Sequence, residues 1–250
     1  MPLRSRRLRV SNPQATYSIT MKLFVDRVHR LPRIWSNREL MRVAHLCHGD
    51  VVNVSAWKDI DKEGRRYRDY FVNARSYWLT NYAADVKGMQ GFENEIYLDL
   101  EQPLPDNLCR RFDVVFNHTT LEHVFDAFTA FGNLCQMTRD AVILVLPFLQ
   151  QYHSSYGDYW RFSPLAIKRL FEKNELEVVY QSFNDHARSS VYIFTVASRQ
   201  PDRWREHFDW EFQVESPRGI APEPYVGSRA VPNTAHRCSR WLRRKIPRLF

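Results

Sequence analysis

The sequence predicts an α/β fold: a seven-stranded, mostly parallel sheet whose last two strands form an antiparallel hairpin, with a helical preface before it and a basic tail after it. Three observations carry this prediction. Short apolar runs recur seven times between residues 51 and 197. Two of the intervals between them, 125–137 and 164–173, have helical length and apolar spacing, and strand–helix alternation is the pattern of a parallel sheet. The last interval, 182–190, is too short for a crossover containing a helix, so the strands flanking it should run antiparallel.

Residues 1–48 form the basic amino terminus and the helical preface. Met21, Phe24, Val25, Val28 and Leu31 recur at helical spacing. Pro32 disfavours the α conformation in the residue before it, so this first helix should end near Leu31. Ser36 or Asn37 then caps a second short helix through Leu46, with Glu39 early in it. Residues 49–200 hold the sheet, with strands expected at 51–54, 77–80, 95–98, 114–116, 141–146, 176–181 and 191–197. In residues 201–250, Trp204, Phe208, Trp210 and Phe212 mix with charges as a wrapping segment. Pro217, Pro222, Pro224 and Pro232 then mark a linker before the basic tail.

Composition narrows the function classes. At 44% hydrophobic and 26% charged residues the chain is ordinary globular material, but it has only 8 glycines. The four cysteines, Cys47, Cys109, Cys135 and Cys238, lie far apart without a Cys-x-x-Cys pair, which points to reduced thiols and a cytoplasmic setting. The first arginines are not followed by an apolar segment, and no window reaches about 18 uncharged apolar residues, so neither a secretory signal nor a membrane span is expected. The net charge of +8 resides in the two ends: residues 1–9 hold four arginines and residues 229–250 hold seven basic groups, with no acid in either. Nucleic acid is therefore not the expected partner, since that requires basic groups spread over a folded face. The final stretch pairs its basic residues with Trp241, Leu242, Ile246 and Phe250. It suits peripheral contact with an anionic membrane, at about 1 kcal/mol per basic group near the headgroups, or an ordinary solvated tail.

Several segments stand in a recognisable order: GDVVNVSAW from residue 49, YLDLEQPLP from 97, FDVVFNHTTLEHV from 112, AVILVLPF from 141 and QYHSSYGDYWRFSPLAIKRLF from 151. Together, over residues 49–197, they resemble the class I S-adenosylmethionine-dependent methyltransferases of the small-molecule and glycan-directed branch. The resemblance implies a Rossmann-like sheet, S-adenosylmethionine as cofactor, and methyl transfer to a hydroxyl or amine of a small molecule or sugar. It is imperfect where the family carries a glycine-rich turn, which lets the backbone approach the cofactor; here Ser55, Ala56 and Trp57 stand instead. A methyltransferase-like binding module without activity is the alternative it leaves.

Carried over residue by residue, the resemblance places Asn53, Ser55, Trp57, Asn81, Asp99 and Asn117 at the cofactor. Asn81 occupies the position of an acid that pairs with the ribose, and Asp99 that of the acid at the adenine amino group. Asn117 and His118 end the fourth apolar run, where ligands of an open α/β sheet sit. His153, with His118 second, is the expected proton acceptor, because histidine titrates near neutrality. Glu122 and His123 should open the following helix. The aromatic loop around Tyr156 and Tyr159 should cover the ligand, with Arg161 clamping an anion and Trp160 in a structural role. His118 and His123 are five apart and cannot share one helical face, so no metal site is expected.

Overall fold

The computed structural model describes residues 25–83, 88–154, 156–208 and 226–231. Seven strands form one sheet: β1 (Gly49–Val54), β2 (Ala74–Asn81), β3 (Glu95–Tyr97), β4 (Phe112–His118), β5 (Thr138–Leu149), β6 (Glu177–Phe183) and β7 (Val191–Ser198). Their order is β3-β2-β1-β4-β5-β7-β6. The first five pair in parallel, and β7 runs antiparallel to both β5 and β6. Each expected strand is present, most of them longer at one or both ends.

The sheet is covered on both faces, and alternation along the strands decides which residue serves which face. Val52, Val115 and Val142 point to the side of α2 (Ala127–Met137) and α3 (Pro164–Lys173), where Phe131, Ile167 and Phe171 meet them. Val51, Val114 and Ile143 point to the side of α1 (Arg30–Val43) and α4 (Pro201–Arg205), against Leu40, Val43 and Trp204. α3 begins as its sequence dictates, with Ser163 accepting from the Ala166 amide and Pro164 in the first turn. Asp126 caps α2 in the same manner, accepting from Thr129 at 3.1 Å.

The preface differs from expectation. One helix, α1, runs through Pro32, while residues 25–29 are coil and turn. Pro32 lies in the first helical turn, where the amide it lacks would have no intrahelical partner. Ser36 and Asn37 are not caps but buried mid-helix groups: Ser36 Oγ donates to the Arg33 carbonyl at 3.0 Å, and Asn37 Nδ2 donates to Asp61 at 3.2 Å. Likewise Glu122 and His123 do not open a helix. They lie in a short 3₁₀ turn, Leu121–His123, and α2 starts four residues later. The basic amino terminus, Met21, Phe24, Trp210, Phe212, the prolines of the linker and the basic tail lie outside the described residues. Among the described residues no helix is long and apolar enough to cross a membrane.

Candidate functional site

The strand order reverses at β1, whose neighbours β2 and β4 lead the chain in opposite directions, so a crevice opens beyond the carboxyl ends of β1 and β4. A cavity of about 440 Å³ occupies that place. Six of the residues expected there line it: Asn53, Ser55, Trp57, Asn81, Asp99 and His118. Leu98 and Leu100 flank Asp99 along one wall, and Tyr156 and Tyr159 of the aromatic loop close another.

The loop after β1 takes the backbone path of a glycine turn without glycine. Ser55, Trp57 and Asp59 have φ of 57°, 49° and 57°, a region that costs a residue with a Cβ about 1–2 kcal/mol. Hydrogen bonds from the end of β2 offset the strain. Thr80 receives the Ser55 amide on its hydroxyl (3.2 Å) and the Ala56 amide on its carbonyl (3.1 Å), and Asn81 receives the Trp57 amide at 2.6 Å. Asp59 closes the loop, accepting from Asn53 and from the Tyr77 hydroxyl, both at 2.8 Å. The Trp57 indole, 39% exposed, stays at the cavity with the Lys58 ammonium 5.1 Å from its ring centre.

Asn81 stands where the ribose contact was expected, but its side chain is engaged: it accepts from Trp57, donates to the Trp57 carbonyl at 3.1 Å and donates to Glu95. Asp99 keeps one carboxylate oxygen on the Glu101 amide, at 2.9 Å, and faces the cavity beside the two leucines.

Two of the expected site residues do not line the cavity. Asn117 is fully buried and does not line the cavity; its Nδ2 donates to the Val54 carbonyl at 2.9 Å, because alternation along β4 turns it away from the side that His118 takes. His153 is also absent from the cavity wall and lies behind it, ring against ring with His123 at 5.0 Å. Arg161 is not open to an anion. Its guanidinium forks onto Asp158 at 2.5 and 2.8 Å and holds that carboxyl down at about 2. Trp160 is structural, donating its indole N–H to the Phe125 carbonyl at 2.9 Å and packing edge-on against Phe128.

His118 is a half-buried imidazole of the wall. Burial, then the nearby Arg33 charge, lowers its pKa well below the ordinary value, so the ring is neutral. Since the Ser36 hydroxyl already donates to the Arg33 carbonyl, it receives the His118 Nε2 proton across 2.8 Å, which leaves the Nδ1 lone pair facing the Thr119 hydroxyl at 3.1 Å.

Sequence reasoning missed Arg33, Tyr67, Thr119 and the burial of Glu122. Arg33 lines the cavity with its Nε sealed from solvent and without a hydrogen-bond partner among the described residues. A break at Pro32 hides it, because only the continuous α1 carries residue 33 over the sheet. Tyr67 comes from a 3₁₀ turn, Tyr67–Tyr70, and its ring centre lies 5.7 Å from that of His118.

A mostly parallel sheet in the order 3-2-1-4-5-7-6, with strand 7 alone antiparallel, decides the architecture. The chain has the fold of the class I S-adenosylmethionine-dependent methyltransferases. No protein-family model matches it, and no curated protein does. Solved structures similar to it include the magnesium protoporphyrin IX methyltransferase of Synechocystis PCC 6803 with bound S-adenosylhomocysteine, at 12% identity over 67% of this chain and 85% of that one, TM-score 0.46. The 1,6-didemethyltoxoflavin-N1-methyltransferase of Burkholderia thailandensis is similar at 15% identity over 66% and 80%, TM-score 0.45. An S-adenosylmethionine-dependent methyltransferase of Clostridium acetobutylicum is similar at 8% identity over 67% and 91%, TM-score 0.46. These likenesses are faint, and the methyltransferase fold rests on the strand order and register.

Proposed function

We propose that the protein is an S-adenosylmethionine-dependent methyltransferase acting on a hydroxyl or amine of a small molecule or sugar. The observation that carries the reading is the convergence of Asn53, Ser55, Trp57, Asp99 and His118 on one cavity at the switch point of a methyltransferase sheet. Asp99 would accept from the adenine amino group between the Leu98 and Leu100 side chains, and the Ser55 loop would lie along the amino-acid end. When bound, the cofactor supplies an electrophilic methyl carbon. The protein's part is to align the acceptor and take its proton. Of the two histidines expected for that role, the proposal favours His118, because it lines the cavity; its Nδ1 would receive the proton through the Thr119 hydroxyl.

A second reading, a binding module that keeps the fold without the reaction, draws on one observation: the Ser55, Ala56 and Trp57 amides are all engaged by β2, and an indole stands at the cavity. Calorimetry with S-adenosylmethionine and its demethylated product separates the two. Heat of binding followed by methyl transfer to an extract of the source cell supports the enzyme, while silence at millimolar cofactor leaves the binding module.

A further inference from the structure

Behind the cavity wall, Glu122, His123 and His153 come together from two segments thirty residues apart. Their ligand atoms, one carboxylate oxygen and one nitrogen from each imidazole, all lie within 4.8 Å of one another. Glu122 is fully buried, and neither of its carboxylate oxygens has a hydrogen-bond partner among the described residues. A buried carboxylate without a hydrogen-bond partner is costly, and a protein retains one where a proton or a cation meets it.

A cation fits the surrounding contacts. His123 Nδ1 donates to the Gly157 carbonyl at 2.6 Å, which fixes the ring and turns Nε2 toward Glu122 Oε1, 3.7 Å away. Asp158 Oδ2 accepts from the His153 amide at 3.0 Å and lies 3.2 Å from His153 Nδ1 without hydrogen-bonding to it. A carbonyl behind the His123 imidazole is an outer contact of the kind that orients metal-bound histidines. The Glu122 carbonyl also receives the Tyr159 and Trp160 amides, at 2.7 and 3.3 Å, so the loop bearing His153 is tied back onto the carboxylate's own residue.

We infer that Glu122, His123 and His153 form a binding site for a divalent first-row cation of the zinc type. Two imidazoles and one carboxylate suit such an ion and leave a coordination position open. Ligands about 2.1 Å from a tetrahedral ion stand roughly 3.4 Å apart, so the separations in this cluster require at most about 1.4 Å of closure. The site differs from the helical His118–His123 pair that the sequence excludes: the fold replaces His118 by His153. His123 belongs to the cavity wall as well, so the open position faces the cavity. Arg33 adds a second positive charge on that side, whereas Arg161 is neutralised by Asp158. The combination suits a ligand with an ionisable oxygen, a phenol, enol or carboxylate, bound to the ion through that oxygen. The inference does not rest on the methyl-transfer reading, because the ligand set stands without the cofactor.

The test uses the full-length chain in a Cys109→Ser, Cys238→Ser background, since Cys47 and Cys135 are buried and Cys109 is the exposed thiol among the described residues. After chelator treatment and dialysis against micromolar Zn²⁺, one equivalent of zinc should be retained, with Mg²⁺ failing to displace it. Glu122→Gln, His123→Asn and His153→Asn should each weaken retention tenfold or more. Co²⁺ added to the unsubstituted chain should give a visible d–d spectrum of nitrogen and oxygen ligation, which keeps the test open should a variant fail to fold. No retained zinc and no cobalt spectrum, or folded variants that hold zinc as well as the parent, would overturn the inference. Cofactor calorimetry on the same metal-free protein reports separately on the methyltransferase reading.

Discussion

The side-chain amide of Asn81 grips the backbone of Trp57 at both ends, Oδ1 accepting from the Trp57 N–H at 2.6 Å and Nδ2 donating to its carbonyl at 3.1 Å. This pair explains how a chain with few glycines builds a turn that ordinarily needs them. Trp57 sits at φ 49°, in the left-handed region, and the amide holds it there from the end of the neighbouring strand.

Strain and clasp should therefore be coupled. Trp57→Gly should raise stability by up to about 1 kcal/mol, the relieved backbone cost less the packing of a partly exposed ring. It should leave cofactor binding intact or tighter. Asn81→Ala should cost about 3 kcal/mol in the parent through three lost hydrogen bonds, two to Trp57 and one to Glu95, and less in the Trp57→Gly background, where the turn no longer needs holding. Urea midpoints of the four proteins give the coupling. Equal cost of Asn81→Ala in both backgrounds would dissociate the clasp from the strain.

Asp99 keeps one oxygen on the Glu101 amide and has a second to offer the cavity. Asp99→Ala should weaken S-adenosylmethionine binding about tenfold, the worth of one hydrogen bond to a charged acceptor, with little change in melting temperature. Calorimetry reads the first quantity and a thermal melt the second. A large drop in melting temperature with unchanged affinity would return Asp99 to the role of a turn residue.

At the opposite end of β1, Asp50 accepts from Arg75, Ser76 and Arg139, and these contacts, Arg75 first, hold its carboxyl at about 2 against an ordinary 3.8. A carboxyl depressed in the folded state adds stability above its unfolded value, and that contribution fades as the pH falls from about 4 toward 2. Melting temperatures between pH 5 and pH 2 should fall more steeply for the parent than for Asp50→Asn. Arg75 is largely exposed, so the difference should be modest and should shrink in salt. Parallel curves would show that the cluster is screened to nothing.

The sheet was legible because strands buried on both faces leave uninterrupted apolar runs, as 114–116 and 141–146 do, and because residues 182–190 leave no room for a helix. Most of one cavity rim was legible for the same reason: polar residues that end apolar strands, such as Asn53, Asn81 and His118, mark the ligand end of the sheet. Asn117 shows where that logic fails, since a strand end presents only alternate side chains to the cavity. The preface was misread at Pro32, because proline in a first turn and proline after a last turn look alike without knowledge of where the helix begins. His123 and His153 were each visible, but their meeting depends on a loop returning across the sheet, which periodicity does not encode.

His118 supplies the kinetic prediction. Its ring is neutral because burial and the Arg33 charge both oppose protonation, so the Nδ1 lone pair persists well below the pH at which an exposed histidine would lose it. If this ring takes the acceptor's proton, turnover should hold level as the pH is lowered through 6.5, rather than halving there as it would with an exposed base. His118→Asn should reduce kcat by roughly 10² to 10⁴-fold while leaving cofactor affinity nearly unchanged, because a base acts on the transition state. Ser36→Ala should be milder: it removes the partner that fixes the Nε2–H tautomer but keeps the lone pair, so its deficit should appear in kcat and not in KM. A pH–rate profile of the parent and the two variants distinguishes the cases. A midpoint near 6.5 in the parent, or a His118→Asn protein that turns over normally, would move the base to another residue on the cavity wall, with His123 the remaining imidazole there.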